Sequence, residues 1–465
     1  YCKMWPTSHK FTSMTGFDKY LETTDLKDFF RKTILPRKGG GRDHISPAQY
    51  LAKHFDDEIR EIKEKCSNGT YHFSAYNELL VLKTRGSVPR IISVPSVRDR
   101  FVLALLNSYL KKTYGIRQVP ANRYIKDYLD FVEQNGIEGM RFLKTDISGF
   151  YDSVNHTVLT RILTDKTDGA ALKLVMSAIS TPTLADTEKH GDLNIKGVPQ
   201  GLAISNTLAE IYVMTLHNDL KKRFDGSLYL RYVDDILIIT KEEVNLRQIV
   251  EDSIRQCSLG LSLSDNKTFY GNIGTDRLDY IGYVIKGTNV VPKEANKKRF
   301  TDRLVRRCLQ IATQYKDPAL RPRFAQEDEA FKEFAVCDLN LMIAGFRLRN
   351  HNYGWLAYFQ QLTDRNCLYE LDALVKKKLG EAAHNLPGII SFVKAYRDLR
   401  SFKGEAVVEN LDEHGTPAKK MAFLCKLGYA NEEEHLSDSE IEKRWNRLVS
   451  RLVKASEKDR GAVSA

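Results

Sequence analysis

Leu228-Tyr229-Leu230-Arg231-Tyr232-Val233-Asp234-Asp235-Ile236-Leu237-Ile238-Ile239-Thr240 is two apolar, β-prone runs that meet at a pair of aspartates. With no spacer but the two acids, the runs read as strands over 228–233 and 236–240 joined in a hairpin with acid at its tip. Carboxylates beside buried strands are unfavourable unless paired or bound to a cation, so this tip asks for a metal. A solvated turn is the ordinary alternative, because Asp is common in turns. A second site points the same way: the apolar strand Phe142-Leu143-Lys144-Thr145 leads into Asp146, followed by Ile147-Ser148-Gly149-Phe150-Tyr151.

Outward from the hairpin, residues 17–66 read as mainly helical, interrupted by the turn formers Pro36, Gly39, Gly40 and Gly41. Leu79, Leu80, Val81, Leu82, Ile91, Ile92 and Val94 form β-prone runs broken at Gly86 and Pro89, predicting a hairpin whose turn carries Lys83, Arg85 and Arg90. Helices are predicted over 97–114, 205–224 and 242–259, with a strand pair over 278–285. Beyond Pro292 the pattern is helical almost throughout. Phe300, Leu304, Cys308 and Ile311 make an apolar stripe, while Lys297, Lys298, Arg299, Arg303, Arg306 and Arg307 crowd the rest of that helix.

The chain has 465 residues, 42% hydrophobic, and a formal net charge of +11. It is long enough for two or three packed units. Its longest apolar runs fall far short of the roughly 18 residues that span a bilayer, so neither a membrane protein nor a disordered chain is expected. Seven scattered cysteines, none in a CxxC, indicate neither a disulfide framework nor a thiolate zinc site, and the chain reads as cytoplasmic. It starts at Tyr1 with no apolar signal, and a few residues are expected to precede it. The charge is unevenly placed: 25 basic against 16 acidic residues in 1–145, 15 against 19 in 146–286, 20 against 13 in 287–400, and 11 against 12 in 401–465. Two basic arms flank an acidic centre; on charge alone this reads equally as a solvated surface or as the arrangement a polymerase needs to hold metal and track a phosphate backbone.

Six ordered stretches carry a family resemblance. Residues 90–100 (RIISVPSVRDR), 144–152 (KTDISGFYD), 197–206 (GVPQGLAISN), 232–235 (YVDD), 260–268 (GLSLSDNKT) and 278–283 (LDYIGY) resemble, in order, the fingers motif and five palm motifs of bacterial reverse transcriptases. The group includes group II intron, retron and defence-associated enzymes, the last being most similar. The resemblance covers roughly residues 70 to 290. It implies an α+β right-hand polymerase: an N-terminal helical extension and fingers (1–145), a palm of antiparallel sheet plus helices (146–286, with a fingers insertion around 155–196), a helical thumb (287–380) and a C-terminal helical extension (381–465).

The resemblance also implies roles. Two Mg²⁺ ions, for which Mn²⁺ can substitute, are held by Asp146 and Asp234, with the Ile147 carbonyl and Asp235 in support. Asp235 supports rather than leads, since successive strand residues point to opposite faces and only a tight turn brings both side chains to one metal. Tyr151 sits where a ring excludes a ribose 2′-hydroxyl, with a core aromatic as its ordinary reading. Lys83, Arg90, Gln200, Gly201 and Lys267 are nucleotide-binding candidates, Lys267 as a proton donor to pyrophosphate or a triphosphate contact, with a surface lysine after a strand as its ordinary reading. Tyr280, Gly282 and Tyr283 resemble a primer grip, and Arg303, Arg306 and Arg307 a cationic thumb face. Trp355, Tyr358 and Phe359, at helical spacing, read first as core.

The function so implied is an RNA-directed DNA polymerase copying a structured non-coding RNA into cDNA from dNTPs in antiphage defence, with a homo-oligomer allowed. Protein-primed or weakly templated DNA synthesis is the alternative. An RNA-dependent RNA polymerase is less favoured, because of YVDD and Tyr151, and a dead-palm RNA scaffold is disfavoured by the intact acids. No ribonuclease H unit and no HNH-type Cys/His spacing is read in the tail.

Overall fold

A computed structural model of the chain describes residues 16–36, 39–82, 88–117, 119–400, 407–431 and 433–460. In chain order its strands are β1 (Tyr76–Val81), β2 (Arg90–Val94), β3 (Arg141–Asp146), β4 (Thr183–Leu184), β5 (Leu228–Tyr232), β6 (Asp235–Thr240) and β7 (Phe269–Asn272), then β8 (Leu278–Tyr280), β9 (Tyr283–Lys286), β10 (Asn289–Pro292), β11 (Phe346–Leu348), β12 (His351–Tyr353) and β13 (Glu409–Asn410). They form four small sheets ordered β2-β1-β4, β5-β6-β3-β7, β10-β9-β8 and β12-β11-β13. Helices of up to 23 residues make up most of the rest, so the class is α+β.

The chain divides into two compact units, one of 1–119, 143–238 and 243–269, the other of 120–142, 239–242 and 270–465. These bounds cut across the four segments expected from the sequence. The fingers-like and palm-like motifs up to 269 group together, whereas 270–286 group with the C-terminal helices.

The first unit is built on the Val97–Tyr114 helix, where Phe101, Val102, Leu103, Leu105 and Leu106 are all buried. Ser96 caps its start by accepting from Asp99 N, and Gly115 ends it at φ 65°. Asp99, itself buried, accepts from Tyr71 Oη at 2.7 Å and Ser74 N at 3.1 Å, tying the helix to the segment that leads into β1. The predicted 205–224 helix breaks at Val213 into Ser205–Tyr212 and Met214–Arg223.

In the second unit the Glu294–Lys316 helix buries Phe300, Leu304, Cys308 and Ile311, the predicted stripe, and packs against Asn366–Leu379. Phe300 stacks on Trp355 with ring centroids 4.9 Å apart. Trp355, Tyr358 and Phe359 are core side chains, as their spacing indicated. The near-continuous helical expectation is corrected by the β12-β11-β13 sheet. Its hairpin turn puts Arg349 and Asn350 at positive φ, and the Asp412 carboxylate accepts from both of their amides. The last helix runs through Asp438–Arg460. Among the described residues no helix is long and apolar enough to cross a membrane.

Candidate active site

Asp146 ends β3, Asp235 opens β6, and Val233 and Asp234 form the turn between β5 and β6. The hairpin tip therefore lies one residue earlier than the Asp234-Asp235 pair expected there. Leu143, Ile236 and Ile238 point into the hydrophobic core. By the two-residue period of strands, Lys144, Asp146 and Asp235 then share the opposite face. Alternation does not turn Asp235 away from Asp146, because the turn, not the strand, supplies Asp234.

Three backbone bonds lock these segments together. Ile147 N donates to the Asp234 carbonyl at 3.1 Å, Ser264 N to the Asp146 carbonyl at 2.8 Å, and Ser148 N to the Ser262 carbonyl at 2.9 Å. Lys267, in the short 3-10 turn that follows, ion-pairs with Asp146 Oδ2. Lys144 Nζ lies 3.0 Å from Asp235 Oδ1 and 6.0 Å from the Phe269 ring centre. Burial holds the Asp234 carboxyl well above the usual carboxylate range, and the facing Asp146 carboxylate adds to the effect. Asp235 is pushed up to about 6 by burial, with Lys144 opposing.

Oδ1 of Asp146, Oδ1 of Asp234 and Oδ1 of Asp235 are all buried with no hydrogen-bond partner. A buried acceptor left without a donor costs about 1–3 kcal/mol, and more when charged. A hard divalent cation removes that cost, and Mg²⁺ is commonly held by one or two carboxylates plus substrate phosphates. Asp146 and Asp234 fit such an ion. Asp235 is engaged by Lys144, and among the described residues no three His, Cys, Asp or Glu side chains form a ready metal cage. All three acids thus gather at one place, Asp146 paired with Lys267 and Asp235 with Lys144.

Tyr151 is buried and donates from Oη to Asn206 Oδ1 at 2.7 Å. The charges of Asp234, Glu210 and Arg90 all act on its hydroxyl, which places it beside the acids; burial is the main reason its pKa is raised. Its carbonyl accepts from Val198 N at 2.8 Å, fastening the Pro199-Gln200-Gly201 stretch. Gln200 and Gly201 contact β2: the Gln200 carbonyl accepts from Ser93 N at 2.7 Å, and a Cβ on Gly201 would lie 2.7 Å from Ser93 O. Gly201, at φ 106°, serves that close approach of two backbones, where a nucleotide contact was expected.

Other candidates are placed elsewhere. Lys83 lies outside the described residues. Arg90, which opens β2 opposite Val81, is the exception, since its charge reaches the Tyr151 hydroxyl. Tyr280 and Tyr283 are 1% and 0% exposed, and Tyr283 Oη donates to the Tyr358 carbonyl, so their rings are core of the second unit, unable to lie against a primer. Gly282, at φ 85°, abuts Asn296, leaving no room for a Cβ. Arg303 donates to the Ala455 carbonyl at 3.2 Å, and Arg307 pairs with Asp338 at 2.5 Å and lies over Phe334. Both are half-buried, so of the three expected thumb arginines only Arg306 is exposed. Sequence reasoning missed Asn206, Glu210, Arg231 and Lys144. Asn206 and Glu210 stand four residues apart in a predicted helix, the one signal that they share a face.

Residues 81–285 match the family of the reverse transcriptase (RNA-dependent DNA polymerase), and every residue of the carboxylate site lies within that stretch. Among curated proteins the chain is 27% identical to an uncharacterized 91 kDa protein in the cob intron of Schizosaccharomyces pombe, over 49% of this chain and 36% of that protein. It is 25% identical to the Pol-related polyprotein of mouse intracisternal A-particle MIA14, over 26% of this chain and 14% of the relative. It is also 25% identical to Protein P of woodchuck hepatitis B virus, over 23% and 12%. The chain thus spans at most 36% of the length of these relatives. Solved structures that it resembles include telomerase from Candida albicans in complex with a TWJ fragment of telomeric RNA (15% identity, TM-score 0.40, 76% of this chain and 66% of that one). Apo telomerase from Candida tropicalis is another (14%, 0.40, 81% and 69%).

Proposed function

We propose that the chain is an RNA-directed DNA polymerase that extends a primer 3′-end with deoxynucleotides by metal-dependent nucleotidyl transfer. The observation that carries this is the pair of buried, donor-less oxygens on Asp146 and Asp234, brought together from β3 and the β5–β6 turn. The match of residues 81–285 to the reverse transcriptase family supports it.

Two Mg²⁺ ions, when bound, activate the 3′-hydroxyl and neutralise the triphosphate and leaving pyrophosphate. Asp146 and Asp234 would hold them, and the Ile147 amide fixes the Asp234 backbone. In the reaction the 3′-oxygen bonds to the α-phosphorus, the bond from that phosphorus to the bridging oxygen breaks, and the hydroxyl proton passes to solvent. Lys144 keeps Asp235 compensated on the same sheet face, which spares the site a third uncompensated charge. Lys267, already on Asp146, is the cation nearest to exchange that carboxylate for a triphosphate oxygen. The Tyr151 ring, held by Asn206, closes the side of the site against a 2′-hydroxyl.

The finer reading is a bacterial enzyme of the defence-associated group, with a dedicated structured RNA as template and 287–380 as thumb. It rests on the ordered motifs of 90–283. Primer extension with dNTPs and rNTPs tests the polymerase reading. The wild type is expected to prefer dNTPs, and Tyr151→Ala to lower that preference by roughly 10- to 100-fold, the range over which a pocket rejects an added hydroxyl. Equal use of both nucleotides by the wild type would point to an RNA polymerase instead, and extension without added template to the weakly templated alternative.

A further inference from the structure

Val233 has φ 58°, in the left-handed region that a β-branched residue strongly disfavours. Such a conformation persists only where its surroundings over-determine the backbone. Here they do. Arg231 Nη1 donates to the Val233 carbonyl at 2.8 Å, and the same guanidinium forks onto Glu210, Nη1 to Oε1 at 3.2 Å and Nη2 to Oε2 at 2.6 Å. The Arg231 side chain is only 5% exposed, so its charge depends on that partner. Glu210 lies in the Ser205–Tyr212 helix, one turn after Asn206, which takes the Tyr151 hydroxyl. On the other side, Ile147 N holds the Asp234 carbonyl. Two successive carbonyls of one turn are thus gripped from different elements.

We propose that Glu210 and Arg231 are positioning residues: a clamp that holds Val233 in the left-handed turn and thereby aims the Asp234 carboxylate at Asp146. The functional consequence rests on the polymerase reading, but the turn geometry does not. Because Asn206 and Glu210 occupy one face of one helix, the same element sets the Tyr151 ring and the carboxylate pair.

The test is a Mn²⁺ titration followed by electron paramagnetic resonance, alongside single-turnover dNTP incorporation and a thermal unfolding midpoint. Arg231→Gln is expected to weaken Mn²⁺ binding at least about tenfold and to slow incorporation in step, with little change in the dNTP KM. Val233→Gly in the Arg231→Gln background is expected to restore most of the Mn²⁺ affinity, since glycine adopts this φ without a clamp. Glu210→Gln, gentler on the fold, is expected to give a smaller loss that Val233→Gly also restores. Wild-type Mn²⁺ affinity in both single variants, or no restoration by Val233→Gly, overturns the clamp. A wild type that binds Mn²⁺ but adds no dNTP defeats the polymerase reading and leaves the clamp to stand on its Mn²⁺ data; a wild type that binds no Mn²⁺ overturns both.

Discussion

Asp146 and Asp234 place two carboxylates face to face where little water reaches, which folding alone would not favour. A site that gives up stability in this way is a site kept for function, so Asp234→Asn is expected to leave the thermal midpoint unchanged or raise it while abolishing incorporation. A midpoint that falls by several degrees would make the acid structural. His217 contributes to the response to acid in the sense opposite to the raised carboxyls of Asp234 and Asp235. His217 is pushed down to about 4, first by burial and then by the Arg231 guanidinium, with Glu210 opposing and Lys221 adding to the fall; Tyr229 packs against its ring. The folded state therefore resists the proton that the unfolded chain binds near 6.5. This penalty is absent above that pH and grows as pH falls towards 4, up to roughly 3 kcal/mol. His217→Leu should flatten that part of the stability profile, measured as thermal midpoint against pH; an unchanged slope would remove His217 as the cause. At this scale the acids were legible in the sequence because each stood beside an apolar strand. Lys144, Asn206 and Arg231 were not, because what marks them is a partner 20 to more than 90 residues away.

Elements explain where the reading of single residues went astray. Tyr280 and Tyr283 sit in the right motif, but β8 and β9 are covered on the face to which both rings turn, so they serve packing. Gly201 belongs to a joint between β2 and the turn preceding the Ser205–Tyr212 helix. Gly201→Ala brings a Cβ to 2.7 Å from both Ile92 and Ser93 O at a φ of 106°, and is expected to destabilise by about 1–3 kcal/mol. Denaturant unfolding checks it, and a neutral result would show that the joint yields. On the Glu294–Lys316 helix the apolar stripe was readable from its period, but which cations point outward depended on neighbours that no periodicity reveals. Arg306→Ala should lower nucleic-acid affinity and reduce the slope of log affinity on log salt by about one unit. Arg307→Ala should leave that slope alone and lower the thermal midpoint, because its partners are Asp338 and Phe334. The reverse pattern, read by fluorescence anisotropy across a salt series, would put Arg307 on the duplex.

For the whole molecule, the net charge of +11 conceals an acidic 146–286 between basic 1–145 and 287–400. That ordering was legible because charge is local in sequence. The division into two units was not, because 120–142 and 270–286 group with helices that follow far along the chain. The sheet spanning 346–353 and 409–410 was hidden for the same reason, its strands being two or three residues long. What survives at every scale is one site, assembled from β3, the β5–β6 turn and the 260–267 segment within the stretch that matches the reverse transcriptase family. The measurement that tests it most directly is Mg²⁺-dependent dNTP incorporation on a primed RNA template by the wild type and by Asp146→Asn, with thermal midpoints recorded for both. The wild type should extend the primer, and Asp146→Asn should lose at least about a thousandfold in rate at an undiminished midpoint. Extension by Asp146→Asn at the wild-type rate would contradict the account.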